Sequence, residues 1–332
     1  MRDWYGGLEH DDTYFTERTN RSLFPLPDER SREVEEINQS LLEYVNSNWS
    51  RPLKPSRRRT IYIQPIITQR KNNNKIDVWS PNSKVFQDRM ISFLKAYFDC
   101  KVKTMSSLYI IEHKKKRKDS VLVRFTSSKG KKRKRTENIE VKRVRAKKMT
   151  LLSVLDLLDV VHAILPTDAY TILGVTDVDI YETDDCMDGS LRGRAFGMSR
   201  IAVFSTAPLK RDLSTTIHSI SRMDDESKAW SYMLATIAHE TLHCFGLDHC
   251  GFYRCCMNSW SDTMVEFGSS IIIDGDDDLV IGCLHLCPIC IRKLHHCIGF
   301  CLKERLSNLT KMYHDLGLKD QEKWCESLLL LL

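Results

Sequence analysis

No stretch of this chain approaches the ~20 consecutive apolar residues that a membrane-spanning helix needs. The leucines from Leu328 to Leu332 make a run of only five. The opening Met1-Arg-Asp-Trp-Tyr-Gly-Gly has no apolar core of the kind a secretory signal requires. No internal repeat is visible, and the basic runs are accompanied by no aromatic ladder on which bases could stack. These absences argue against a membrane protein and give no support to export. The expectation is a cytoplasmic protein, with the nucleus as an alternative, whose 12 cysteines stay reduced.

What the chain does contain is enough apolar material for a large core. It has 332 residues, 42% of them hydrophobic, which suits one big domain or two modest ones. The net charge of +6 is unevenly placed: residues 113–148 hold 17 Lys and Arg against three acids, a local +14, which leaves −8 for the rest. The runs Lys114 to Lys118 and Lys131 to Arg135 could be import or nucleic-acid patches, but a solvated insertion beside a hairpin is the favoured reading.

The chemistry is concentrated between His239 and His249, where the residues follow H-E-x-x-H-x-x-G-x-x-H. Residues four apart share one face of a helix, so His239 and His243 can present imidazoles to one metal ion. Glu240 is placed to take a proton from a metal-bound water. Gly246 can adopt positive φ, end the helix and return His249 as a third ligand. Three neutral imidazoles with an open fourth position describe a catalytic zinc site. The run from Ser227 to Phe245 has neither Gly nor Pro and carries apolar residues at helical spacing, so a helix is expected there.

A second cluster follows at once. Cys250, Cys255 and Cys256 precede Met257, and Cys287 and Cys290 form a C-x-x-C pair. Two short cysteine pairs separated by a loop have the spacing of a four-cysteine zinc site, with Cys250, Cys255, Cys287 and Cys290 as ligands. Cys256 and Cys283 remain alternatives on spacing alone.

This combination resembles the archaemetzincins (archaelysins), a branch of the metzincin zinc peptidases. The motif with C-x4-C-x-M behind it carries the likeness, as do Leu286 to Leu294, Ile298 to Phe300 and Glu304-Arg305, which are similar to the animal-type branch. The match runs from about Thr171 to Tyr313. It implies a zinc metallopeptidase with two Zn2+ per chain, one catalytic on His239, His243 and His249 and one structural on four cysteines. It further implies Glu240 as general base and acid, Met257 in a tight turn beneath the catalytic metal, and a rim strand (Ile201 to Ser205) that pairs with extended peptide. Three features depart from the family pattern: Leu242 stands where Gly is usual, the segment from Met257 to Cys287 is long and acidic at Asp274 to Asp278, and Cys256 doubles a cysteine.

The expected fold is α+β: a mixed twisted sheet, an active-site helix and a cysteine-rich, zinc-stabilised C-terminal part. Residues 1–57 read as a polar lead-in with a helix at Glu33 to Tyr44, residues 58–317 as the peptidase domain with its basic insertion, and 318–332 as a tail. Strands are expected at Arg59 to Ile67, Lys101 to Ile111, Val121 to Phe125, Ile139 to Val144, Tyr170 to Ile180 and Ile201 to Ser205. Helices are expected at Val85 to Phe98, Thr150 to Leu165 and Leu302 to Leu316, with Gly317 as a C-cap and His162 packed as a structural histidine. The expected partner is a peptide or protein substrate, cleaved by a monomer in which aminopeptidase-like action is one form left open. Two other readings stand beside it: a non-catalytic, zinc-stabilised binding protein, and a finger-like nucleic-acid module, against which the histidine spacing argues.

Overall fold

A computed structural model describes residues 39–47, 59–68, 77–112, 119–127, 135–146, 149–183, 191–216, 222–253, 255–258 and 284–332. They form two compact units, one from the described parts of 54–92 and 100–214, the other from those of 1–53, 93–99 and 215–332. The sheet lies in the first unit; the histidine and cysteine clusters lie in the second.

The first unit is built on a mixed ten-stranded sheet in the order β8-β6-β5-β4-β3-β1-β7-β10-β9, with β2 pairing on β1. The strands are β1 (Thr60–Thr68), β2 (Lys101–Thr104), β3 (Leu108–Ile111), β4 (Ser120–Ser127), β5 (Arg135–Ala146), β6 (Met149–Ser153), β7 (Ala169–Thr176), β8 (Asp179–Tyr181), β9 (Gly193–Phe196) and β10 (Ile201–Ser205). Strand β1 runs parallel to β2, β3 and β7, and β7 parallel to β10, whereas β9, β4 and β5 add antiparallel edges. Strand β7 is buried at every position, as a central strand covered on both faces must be.

The expected strand from Lys101 to Ile111 is in fact two, and Pro65 is part of the reason. Strand β1 pairs with β2 as far as Ile63↔Thr104 and takes up β3 from Ile66↔Leu108. Gln64 and Pro65 fall in the gap, where the missing proline N–H costs no ladder bond on that side. The buried Gln64 amide bridges the break by donating to the Ser106 carbonyl at 2.8 Å.

Two further expectations are corrected here. Residues Met149 to Ser153 are strand, not helix: they pair antiparallel with β5 and bury Leu151 and Leu152. Helix α3 (Val154–Ala163) starts only after Ser153, whose hydroxyl accepts from the Asp156 amide as an N-cap. Its inner face is Val154, Leu157, Leu158, Val160 and Val161, whereas Leu155 is exposed and so is His162, which does not pack. Helix α2 (Lys84–Phe98) forms as expected, with Phe86, Met90, Phe93, Leu94 and Tyr97 fully buried. The hairpin β4–β5 is longer than expected; Lys114 to Lys118 and Lys131 to Lys134 lie outside the described residues. Helix α4 (Ala207–Thr216) follows β10.

The second unit is helical: α1 (Leu41–Asn46), α5 (Arg222–Cys244), α6 (Pro288–Ile298), α7 (Leu302–Asp315) and α8 (Lys319–Leu329). Helix α5 is buried on all sides from Ala229 to His239, the mark of a central helix. Two polar residues tie it to the C-terminal helices. The Ser227 hydroxyl donates to the Leu316 carbonyl, and Gln321 donates to Ser231. Residues 318–332, expected as a tail, thus contain helix α8, which buries Gln321, Cys325 and Leu328. The expected helix from Glu33 to Tyr44 is corrected where it is described: Gln39 and Ser40 are not helical, and α1 starts at Leu41 behind a capping box between Ser40 and Glu43; residues 33–38 lie outside the described residues.

Packing in the sheet unit is tight enough to test. A Cβ on Gly174, in the middle of β7, would stand 2.8 Å from Val161 Cγ2 and 3.0 Å from Val203 Cγ2. Both neighbours are β-branched and cannot swing away. Gly174→Ala should therefore cost about 1–3 kcal/mol, read as a lower urea midpoint with unchanged slope. An unchanged midpoint would show that the strand has more room than these distances allow.

Candidate metal centre

Helix α5 ends in a Schellman turn. Gly246 has φ 84°, its amide donates to the His243 carbonyl at 2.9 Å, and the Leu247 amide reaches back to the Leu242 carbonyl at 3.2 Å. Leu242 and Leu247 are both fully buried, the apolar pairing this turn favours. The bulky Leu242 is therefore absorbed into the core on one side while its carbonyl closes the turn on the other. The reversal brings His249 back to the helix, so that its ring centroid lies 5.2 Å from that of His239 and 4.9 Å from that of His243.

The direction in which the imidazoles point is set by backbone carbonyls. His239 Nδ1 lies 2.7 Å from the Cys256 carbonyl and His243 Nδ1 lies 2.8 Å from the Leu247 carbonyl. A carbonyl can only accept, so each Nδ1 carries the proton and each Nε2 presents a lone pair. Those two Nε2 atoms face each other at 3.1 Å. Burial, then the neighbouring His243 and His249 imidazoles, hold the His239 pKa well below its ordinary value, which keeps that ring neutral. Two imidazole nitrogens thus converge on one spot, an arrangement that suits a shared cation. Ligand nitrogens ~2.0–2.1 Å from a tetrahedral zinc stand ~3.3 Å apart, close to what is found. One ligand atom from each of His239, His243 and His249 lies within 4.8 Å of the others. Glu240, half-buried, follows His239 on the helix.

Cys250, Cys255, Cys287 and Cys290, all buried, bring their sulfurs within 4.8 Å of one another. The Cys250 and Cys287 sulfurs are 3.7 Å apart, which matches the ~3.8 Å edge of a zinc tetrahedron with ~2.3 Å bonds. No disulfide involves a described cysteine. Hydrogen bonds from the Cys255, Cys287 and Cys290 thiols hold the Cys250 thiol well below its ordinary range, while burial pushes Cys287 up. Of the two alternatives from spacing, Cys256 turns its sulfur toward the Ala235 carbonyl, and Cys283 lies outside the described residues. Met257 is buried, and its carbonyl accepts from the Cys250 amide at 2.7 Å.

Sequence reasoning missed several residues that hold these clusters. Cys287 is the N-cap of α6, its sulfur accepting from the Cys290 amide, with Pro288 in the first turn and Gly299 in left-handed conformation at the end. That Pro-to-Gly frame was a readable helix signal. Asn258 carried no such signal. Its Oδ1 accepts from the Cys255 amide at 2.7 Å, and its Nδ2 donates to the carbonyls of Cys250 (2.5 Å) and Tyr253 (2.9 Å). Asn258→Ala removes all three bonds and should cost about 1–3 kcal/mol. It should also speed metal loss from the cysteines in competition with a chelator. Wild-type stability and release rates in that variant would show that the staple is idle.

No family model matches the chain. It is 28% identical to archaemetzincin-2 of Rattus norvegicus over 169 residues, 45% of this chain and 43% of that protein. It is also 28% identical to archaemetzincin-1 of Mus musculus over 164 residues, 43% of this chain and 30% of the relative. The chain therefore spans less than half the length of the curated relatives it matches. Among solved structures it is similar to an archaemetzincin from Methanopyrus kandleri, at 16% identity and a TM-score of 0.36, over 63% of this chain and 85% of that one. No helix among the described residues is long and apolar enough to cross a membrane. Over the stretch it shares with these animal proteins, the chain is similar to the archaemetzincins.

Proposed function

We propose that this protein is a zinc-dependent peptidase. Its catalytic zinc would be held by His239, His243 and His249, and a second, structural zinc by Cys250, Cys255, Cys287 and Cys290. The observation that carries the reading is the pair of Nδ1-to-carbonyl bonds, which leaves two Nε2 lone pairs converging at 3.1 Å beside a third histidine. The domain proposed at 58–317 would draw on both compact units, the monomer would act on peptide or protein, and a cytoplasmic or nuclear site suits its reduced thiols.

Held by His239, His243 and His249, zinc would supply Lewis acidity, lowering the pKa of a ligated water to ~7 and polarising a carbonyl oxygen. The chain's own residues do the rest. The Cys256 and Leu247 carbonyls hold His239 and His243 in the tautomer that can ligate. Glu240, next to the first ligand, accepts the water proton as the oxygen adds to the peptide carbon. It then returns that proton to the departing nitrogen as the C–N bond breaks. Met257, which is buried, would lie in the tight turn beneath the metal that the family resemblance implies.

The test separates metal from chemistry. Elemental analysis of purified chain should find about two zinc, falling to about one in His243→Ala. Glu240→Gln should keep both and lose roughly 10²- to 10⁴-fold in peptide turnover. Wild-type turnover in Glu240→Gln would sink the mechanism. A two-zinc wild-type chain that cleaves no member of a peptide library would leave the non-catalytic binding protein in its place. Comparing peptides with free and blocked N-termini in the same library decides between exo- and endopeptidase action.

A further inference from the structure

The turn that returns His249 is gripped by a segment more than 200 residues earlier in the chain. The Gln39 side-chain amide brackets it, Nε2 donating to the Gly246 carbonyl at 3.4 Å and to Asp248 Oδ2 at 3.0 Å, while Oε1 accepts from the Asp248 amide at 3.4 Å. Five residues on, the fully buried Tyr44 donates its hydroxyl to the Phe245 carbonyl at 2.7 Å. Burial pushes the Tyr44 phenol far up, so it stays protonated and remains a donor. The grip is itself held: the fully buried Lys293 donates its ammonium to the Gln39 carbonyl. Lys293 lies on α6, the helix whose N-terminus carries Cys287 and Cys290.

These contacts fall on the backbone that aims the ligands. Phe245, Gly246 and Asp248 flank Leu247, whose carbonyl orients His243, and they lead directly into His249. A helix C-terminus is a place where carbonyls lack partners and the chain frays. Here the Phe245 and Gly246 carbonyls, just past that end, receive side-chain donors from a distant segment. Gln39 has its backbone oxygen and both side-chain heteroatoms engaged, so it is fixed in place and fixes the turn in return.

We propose that Gln39 and Tyr44 are positioning residues for the three-histidine site, a strap that holds the 245–249 turn in the geometry needed for metal binding. The strap rests on the reading of His239, His243 and His249 as ligands. Because Lys293 anchors it to α6, the strap also joins the histidine site to the helix seated on the cysteine cluster. A strap of this kind acts on affinity and coordination geometry, and leaves the four thiols untouched.

The test loads the full chain with cobalt(II), whose visible bands distinguish nitrogen from thiolate coordination and report ligand geometry. Tyr44→Phe and Gln39→Leu each delete hydrogen bonds with little change in shape. Each should weaken cobalt at the histidine site roughly three- to tenfold, and the double variant more. The nitrogen-ligand bands should shift, the thiolate bands stay in place, and the Gly246 and Leu247 amides exchange faster with deuterium. Leu42→Ala, on the exposed side of the same short helix, should change none of these. Wild-type affinity and unaltered bands in the double variant overturn the inference while leaving the metal site intact. A wild-type chain that takes up only thiolate-bound cobalt overturns the metal reading and this inference together. Equal loss at both sites would mean a general effect on folding and would also overturn it.

Discussion

The hydrogen bond from His239 to the Cys256 carbonyl is the contact on which the rest of the second unit turns. It decides the tautomer of the first histidine and so determines that a lone pair, not a proton, faces His243. It also binds the end of the helix to the loop that supplies Cys250 and Cys255. One bond of 2.7 Å therefore reaches from the histidine cluster into the loop of the cysteine cluster.

The surrounding architecture makes that bond dependable. Helix α5 is enclosed from Ala229 to His239, so the face that carries His239 and His243 has no freedom to rotate. Its far end is closed by the Gly246 turn and its flank is tied to α7 and α8 through Ser227 and Ser231. A tetrahedral ion of the kind proposed for His239, His243 and His249 would accept little variation in where its ligands stand. The energy for that rigidity comes from apolar burial around the helix, while the polar bonds select one arrangement among the packings that burial alone would permit.

How much of this could be read in the sequence follows the range of each interaction. His239, His243, Gly246 and His249 are separated by a few residues, and the physics that relates them is local: helical period and positive φ. They were legible, as were Cys287 and Cys290 and the apolar face of α2. The break at Met105 to Ser107 was not, because it depends on Pro65 and on Gln64 reaching across to another strand. The start of α3 was misplaced because Met149 to Ser153 has helical spacing but finds a strand partner in β5, and the pairing overrides the local pattern. Gln39 and Tyr44 were invisible for the same reason in stronger form. Their partners lie over 200 positions away, and nothing in a polar lead-in distinguishes a glutamine that grips a turn from one that faces water.

The described residues of 247–258 make the general point, since they lie outside helices and strands and yet about half of them are buried. Every buried polar group there must find a partner. The Cys250 amide bonds to Met257, the Cys255 amide to Asn258, the Cys256 amide to His285, and the Cys250 and Tyr253 carbonyls to Asn258. The Cys256 carbonyl is met by His239 itself. The histidine is thus a structural donor on one nitrogen and a ligand candidate on the other. Deleting its ring would strand a buried carbonyl at a cost of about 1–3 kcal/mol before any metal is considered. A site whose ligands also complete the backbone bonding of their own loop is one in which folding and metal binding constrain the same atoms.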